Sequence, residues 1–359
     1  MLVNGRGGVL MKTMMDAAVL NKPLEMELKK LSIPKPRKNE ALVKVYCIGI
    51  CGSDIHYYEY GKIGRYEVKE PLILGHEVAG EVVEVGEEVQ NVMIGDRVAI
   101  EPGVTCGRCD ACKSGRYNLC PDVAFMATPP VDGAWAEYVT VRSDFLFKLP
   151  DEISFEAGAL LEPLSVGIHA MNRGNITPAD RLLITGLGPI GLLAAQAAKM
   201  FGVNDVYATD VVPFRRELGL DLGITNVIDP SRDDLQKNIE QWTDGKGVNV
   251  VIETSGNAKA IQDAFNSVNR GGRIVCVGMP VVNDIPVNIN HMIDSELDVY
   301  GVFRYANTYP TAIQALKNPH LDIEKVITHQ FALTDIQEAV DVARNQKDTS
   351  IKVMIYPGK

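Results

Sequence analysis

The spacing of apolar and polar positions changes character part-way along the chain. From residue 13 to 100 apolar residues come in short runs: Ala17 to Leu20, Ala41 to Ile48, Glu81 to Val85 and Arg97 to Ile100. Turn residues such as Pro34-Lys35-Pro36 and Gly95-Asp96 separate them. Short runs punctuated in this way predict the strands of an irregular β-barrel. Gly133 to Val141 reads as a further strand of the same region. From Arg181 onward the pattern alternates. Strands are predicted at Leu182-Leu183-Ile184, Asp205 to Thr209, Asn226 to Ile228, Val248 to Glu253, Arg273 to Val277 and Leu297 to Val302. Helical periods lie between them, at Phe214 to Leu222, Leu235 to Trp242 and Ala258 to Asn269, the last stopping at Gly271-Gly272. Regular β/α alternation predicts a parallel, doubly wound Rossmann sheet. Residues 309 to 359 alternate helices and end in a strand, Ile351 to Ile355, that returns to the first domain. The fold class expected is therefore α/β, a doubly wound sheet beside a β-barrel. The first ten or so residues show no pattern, and Met11, Met14 or Met15 marks where the fold begins.

The first helix of the alternating half opens on Gly186-Leu187-Gly188-Pro189-Ile190-Gly191, directly after an apolar strand. Strand, G-x-G-x-x-G turn and helix is the order of a dinucleotide site. Gly186 permits the tight turn, Gly188 leaves room for the pyrophosphate, and Gly191 lets the helix pack closely. The helix N-terminus offers free N–H groups to the anion. Asp210 ends the second strand, about 20 residues past the last glycine, where a carboxylate can accept from both ribose hydroxyls of NAD. It would repel the 2′-phosphate of NADP, although Arg215-Arg216 offers a counter-charge. NAD is the expected cofactor, with Val277-Gly278-Met279 near its nicotinamide.

Bulk properties narrow the function. The 359 residues suffice for two domains. A net charge of -10 argues against a nucleic acid or an anionic membrane as partner. No run of about 18 apolar residues predicts a membrane span, and no signal peptide is read at the N-terminus. Seven cysteines in a chain this long do not suggest a disulfide framework. Four of them, Cys106, Cys109, Cys112 and Cys120, have the spacing of a closed tetrahedral thiolate site for structural zinc. Cys47 and Cys276 sit in apolar runs and read as core.

A second set of donors is Cys51 in Cys51-Gly52-Ser53-Asp54, with His76 and Glu77 in Gly75-His76-Glu77. A thiolate, an imidazole and a carboxylate suit catalytic zinc with one open position. Singly, Cys51 also reads as a small core residue, His76 as a structural histidine and Glu77 as a surface charge. Glu162 is a carboxylate inside the apolar run Leu160 to His169, a costly place for a charge unless it is paired or metal-bound. His169 is read as a packing residue on the same helical face.

Gly75-His76-Glu77-x-x-Gly80-x5-Gly86-x2-Val89 resembles the zinc signature of the medium-chain alcohol and polyol dehydrogenases, and Cys51-Gly52-x-Asp54 resembles their first ligand motif. Leu161-Glu162-Pro163-Leu164-Ser165 is similar to the sorbitol and related polyol dehydrogenases, where the alcohol dehydrogenases usually carry a cysteine. Gly301-Val302-Phe303-Arg304-Tyr305 is similar to the same branch. The resemblance runs from about Met14 to the end.

It implies a GroES-like catalytic domain, residues 1–163 and 303–359, and an NAD-binding domain, residues 164–302. It implies two zinc ions, one structural and one catalytic. The catalytic ion would lie at Cys51 and His76 with Glu77, Glu162 or both; Glu77 would bind directly and Glu162 through water or by exchange. Ser53 and His56, on the loop of Cys51, would relay the proton, with Glu162 as a further catalytic group. Tyr57, Phe125, Thr128, Glu162, Arg304 and Tyr305 would line the substrate pocket. Gly186, Gly188, Pro189, Ile190, Gly191, Asp210, Arg215, Val277, Gly278, Met279, Phe303 and Arg304 would hold the cofactor. The implied activity is NAD-dependent oxidation of a sugar alcohol at C2, of the sorbitol/xylitol type, by a cytoplasmic homotetramer or homodimer. Alternatives are a butanediol or threonine dehydrogenase on the same fold, or a non-catalytic nucleotide-binding zinc protein.

Overall fold

A computed structural model describes residues 13–282, 284–319 and 321–358. The patternless start of the chain lies outside these residues, and the first strand begins at Met14. The second half forms a six-stranded parallel sheet in the order Asn226–Ile228, Asp205–Thr209, Arg181–Thr185, Val248–Glu253, Val268–Cys276 and Asp298–Gly301. Chain order reverses at Arg181–Thr185, so the sheet is doubly wound and has its ligand crevice at the carboxyl ends beside that strand. Helices cover both faces, and Leu182, Ile184, Val250 and Ile252 are fully buried.

The helix predicted to reach Asn269 stops at Ser267, and the following strand takes Val268–Cys276. Val268 is buried, has extended backbone and pairs with Val248. The β-branched side chain and the ladder outweigh the helical period there. Gly271 and Gly272 thus lie inside a strand that shifts register, not at a helix end.

In the first half Leu146–Lys148, Arg97–Ile100, Glu77–Val85, Glu40–Gly49, Lys352–Tyr356 and Ile327–Ala332 pair in that order. Tyr138–Arg142 also pairs with Glu40–Gly49. A three-stranded sheet, Glu25–Ser32, Met14–Lys22 and Leu72–Ile73, stands beside it. Residues 133–137, expected as strand, instead stitch the two sheets together. Trp135 N–H donates to Leu74, Ala18 N–H to Trp135, and Val45 N–H to Glu137. The barrel interior packs Val43, Ile48, Val78, Val82, Ile100 and Trp135. The strand Ile327–Ala332 and the helix Gly52–Tyr60 were not apparent in the sequence pattern.

The helix Leu161–Arg173 joins the halves. Leu161, Leu164 and Ile168 share one core with Ala79 and Ala99 of the barrel, with Leu182 and Ile252 of the parallel sheet and with Leu193 of the helix Pro189–Met200. Cys47 belongs to this core, and Cys276 is partly buried in another cluster.

Candidate active site

Three donors meet where the barrel faces the parallel sheet. The ligand atoms of Cys51, His76 and Glu77 all lie within 4.8 Å of one another. Cys51 caps the helix Gly52–Tyr60, and Asp54 closes the start of that helix. The Asp54 carboxylate is fully buried and accepts from Cys51 N–H at 2.9 Å and from Gly75 N–H at 3.0 Å. One side chain therefore ties both ligand-bearing segments together. Gly75 has φ 87°, and the Trp135 ring fills the space a Cβ would need. Glu77 opens its strand opposite Gly49, and a Cβ at Gly49 would lie 1.9 Å from Glu77 Oε2. The glycine is what leaves room for the carboxylate.

A partner that motif reasoning missed is Lys352. It is 1% exposed, and its Nζ donates to Glu77 Oε1 at 2.6 Å, to Oε2 at 2.8 Å and to the Ile50 carbonyl at 3.1 Å. Burial pulls the lysine pKa down, but the charges of Glu77 and Cys51 outweigh it and the net shift is upward. The only sequence signal was a lysine opening an otherwise apolar strand. For His76 burial again pulls downward, and the neighbouring Cys51 and Asp54 push it up to about 10. The metal-free cluster is thus rich in anionic donors, as a divalent cation would require.

Glu162 is placed near this group and not within it. Its Oε1 accepts the Tyr305 hydroxyl at 2.9 Å, and burial pushes its pKa up. Arg304 stacks over Phe125 at 3.9 Å, and its backbone has φ 53°. Its Nη1 is buried with no hydrogen-bond partner. A buried guanidinium donor left open, beside two tyrosines, suits a ligand with several hydroxyls. Tyr57 is buried and hydrogen-bonded to the Thr128 side chain. Phe125 also lies edge-on to His76, centroids 5.5 Å apart. Tyr57, Phe125, Thr128, Arg304 and Tyr305 are thus linked to one another or to the donor cluster. Ser53 and His56 lie on the helix Gly52–Tyr60, not on a loop. Ser53 is half-buried, and His56 is exposed with its ring 5.7 Å from Tyr60. His169 is half-buried and lines a cleft of about 560 Å³ with Arg116, Arg173, Val302, Phe303 and Asn307.

The four-cysteine lobe has its own geometry. All four sulfurs lie within 4.8 Å of one another, with Cys109 and Cys112 at 3.5 Å and Cys106 and Cys112 at 4.0 Å. Thiolates around a tetrahedral zinc with Zn–S of about 2.3 Å sit about 3.8 Å apart, so the cage fits. N–H groups of Arg108 and Cys109 pull the Cys106 thiol down to about 6.

At the carboxyl ends of the parallel strands Gly186 has φ 91°, and a Cβ on Gly191 would strike the Gly186 carbonyl at 1.9 Å. A Cβ on Gly188 would meet nothing within 4 Å, which leaves the approach open for a phosphate. Pro189 and Ile190 start the helix Pro189–Met200. Asp210 accepts from Leu187 N–H at 2.7 Å and from Val212 N–H at 2.8 Å, so its carboxylate is aimed at the glycine turn. Arg215 stands 3.8 Å from it, and Arg216 pairs with Asp229. Val277 and Gly278 donate to the Glu253 carbonyl, while Met279 and Phe303 are exposed.

The alcohol dehydrogenase GroES-like domain model matches residues 37–151, and the zinc-binding dehydrogenase model matches residues 189–318. A sorbitol dehydrogenase of Bacillus subtilis is 48% identical over 345 residues, 96% of this chain and 98% of that protein. The chain belongs to the zinc-dependent medium-chain dehydrogenases, in their polyol branch. An Escherichia coli oxidoreductase/dehydrogenase of unknown specificity superposes with a TM-score of 0.91 at 38% identity, covering 96% of this chain and 99% of that one. A solved alcohol dehydrogenase of Escherichia coli CFT073, complexed with NADH, superposes with a TM-score of 0.90 at 28% identity, covering 96% and 100%.

Proposed function

We propose that the protein is an NAD- and zinc-dependent polyol dehydrogenase that oxidises a sugar alcohol at C2 to the ketose. The observation that carries this reading is the largely buried Cys51–His76–Glu77 cluster together with the open guanidinium of Arg304. The sorbitol dehydrogenase likeness supports the substrate class, and the NADH-bound relative supports the cofactor. Cys51, His76 and Glu77 would hold the catalytic zinc, and the four-cysteine lobe the structural one. Bound there, the catalytic zinc supplies Lewis acidity to the substrate hydroxyl, and NAD accepts the hydride.

The chain's own residues do the rest. Arg304 donates to the polyol, and the Phe125 face keeps the guanidinium in place. Tyr305 holds Glu162, which can accept from a substrate hydroxyl or a water. Tyr57 and Thr128 close the pocket. Ser53 and His56 lead from the buried donors to the exposed end of their helix, a route by which the hydroxyl proton leaves. Asp210 receives the adenosine ribose, and Gly188 admits the pyrophosphate. We assign the catalytic domain to residues 1–163 and 303–359 and the NAD-binding domain to 164–302.

We also infer a homo-oligomer in the cytoplasm, a tetramer or a dimer. The strand Asp298–Gly301 is the open edge of its sheet; Val299 on it and Ile289 and Ile293 of the helix just before it are exposed. Among the described residues no helix is long and apolar enough to cross a membrane. The test is a steady-state assay with sorbitol, xylitol, galactitol and butanediol, each with NAD and with NADP. Polyol turnover with NAD is expected. Turnover of butanediol alone would move the chain to the secondary-alcohol reading.

A further inference from the structure

The Lys352–Glu77 pair is unusual for its cost. Two opposite charges, each 1% exposed, have been taken out of water. Such a pair seldom adds net stability over apolar residues of the same size, so its presence asks for another reason. All three Lys352 protons have acceptors: both Glu77 oxygens and the Ile50 carbonyl. One of those Glu77 oxygens also belongs to the donor cluster with Cys51 and His76.

A charge count gives the reason, on the reading that this cluster holds zinc. A thiolate, a carboxylate and a neutral imidazole would leave a divalent cation with no net charge. Anionic donors bind a cation tightly but blunt its pull on a substrate oxygen. An ammonium bonded to both carboxylate oxygens returns one positive charge to the site. We propose that Lys352 is a positioning residue that partly withdraws Glu77 from the metal, so that the site gives up zinc affinity and keeps electrophilicity. Lys352 touches neither substrate nor cofactor in this scheme; it acts through Glu77.

A lysine that merely oriented Glu77 would have the opposite effect on affinity. Losing a partner that only orients a ligand typically weakens metal binding by about 10–100-fold. Loss of charge compensation strengthens it. The experiment is zinc competition against a chromophoric chelator on the full-length wild type, Lys352→Gln and Lys352→Arg, with the four-cysteine site filled. Lys352→Gln, which can still donate to Glu77, is expected to hold the exchangeable zinc about tenfold more tightly, while kcat for the polyol falls and KM for NAD stays put. Lys352→Arg keeps the positive charge beside Glu77 and is expected to hold zinc no more tightly than wild type. Unchanged or weaker zinc binding in Lys352→Gln overturns the inference. If Lys352→Gln does not fold, an arginine variant that holds zinc about tenfold more tightly with the charge kept overturns it equally. Cys51→Ser separates this from the parent reading: if wild type holds no more zinc than Cys51→Ser, the metal assignment itself has failed.

Discussion

The two donor clusters of this protein are built in opposite ways. The four cysteines lie within 15 residues of sequence, on a lobe with only Cys120 fully buried. Their carriers are turns and one short helix, and four identical thiolates close the cage. The other cluster draws Cys51 from a helix cap, His76 and Glu77 from a strand start, and Lys352 from the last strand. It is chemically mixed, with His76, Glu77 and Lys352 buried and Cys51 half-buried, and it lies near Glu162. A closed, local set can stabilise a lobe but leaves no position for a ligand. An open, mixed set needs the whole fold to hold it, and it leaves a position free for a ligand.

The contrast can be broken most severely at the open cluster. Cys51→Ser is expected to reduce polyol oxidation by about three orders of magnitude or more, since it removes several kcal/mol of Lewis-acid stabilisation, while circular dichroism stays native. Activity within tenfold of wild type would contradict the catalytic placement. Glu162→Ala should cost turnover on the order of 100-fold and leave the dissociation constant of NAD unchanged, as measured by fluorescence titration. Equal turnover in mutant and wild type would remove Glu162 from the mechanism.

At the closed cluster the readout should be stability. Cys109→Ser is expected to lose the structural zinc and lower the thermal midpoint by roughly 5–10 °C, with turnover at low temperature kept within severalfold. Loss of activity without loss of stability would make the two clusters alike after all.

The smallest effect lies between them, at Glu101. This buried carboxylate accepts from the Tyr117 hydroxyl at 2.7 Å, and burial pushes its pKa up to about 7. Its folded pKa exceeds the unfolded value of 4.5, so the folded state binds the proton more tightly. Its contribution is full below about pH 4.5 and is lost as pH rises through about 7. Glu101→Gln, which keeps an acceptor, should flatten that decline. Thermal midpoints at pH 5 and pH 8 should differ by a few degrees less in the variant than in wild type.

The same contrast explains how far the sequence could be read. The parallel sheet was legible because each strand is a short apolar run between helical periods, and its glycine turn carries its own geometry. The cysteine lobe was legible because its spacing is its structure. Cys51, His76 and Glu77 were legible only as motifs, since nothing local reveals that Asp54 joins their two segments. Lys352 was legible only as a lysine opening an apolar strand, with nothing to say what it faces. Its strand is paired with Glu40–Gly49 across some 300 residues, and register, not motif, brings it to Glu77. The helix Gly52–Tyr60 was read as loop because its polar start hides its period. Residues 133–137 looked like strand and act as a seam, because Trp135 is needed behind Gly75.

The central claim is that oxidation of the polyol by NAD depends on a removable metal at the open cluster. The direct measurement is zinc content and sorbitol-dependent NADH formation on the same sample, before and after a mild chelator and after zinc is restored. Two zinc ions per chain falling to one, with activity lost and then regained, is the predicted result. Full activity with the single zinc of the cysteine lobe would contradict the account.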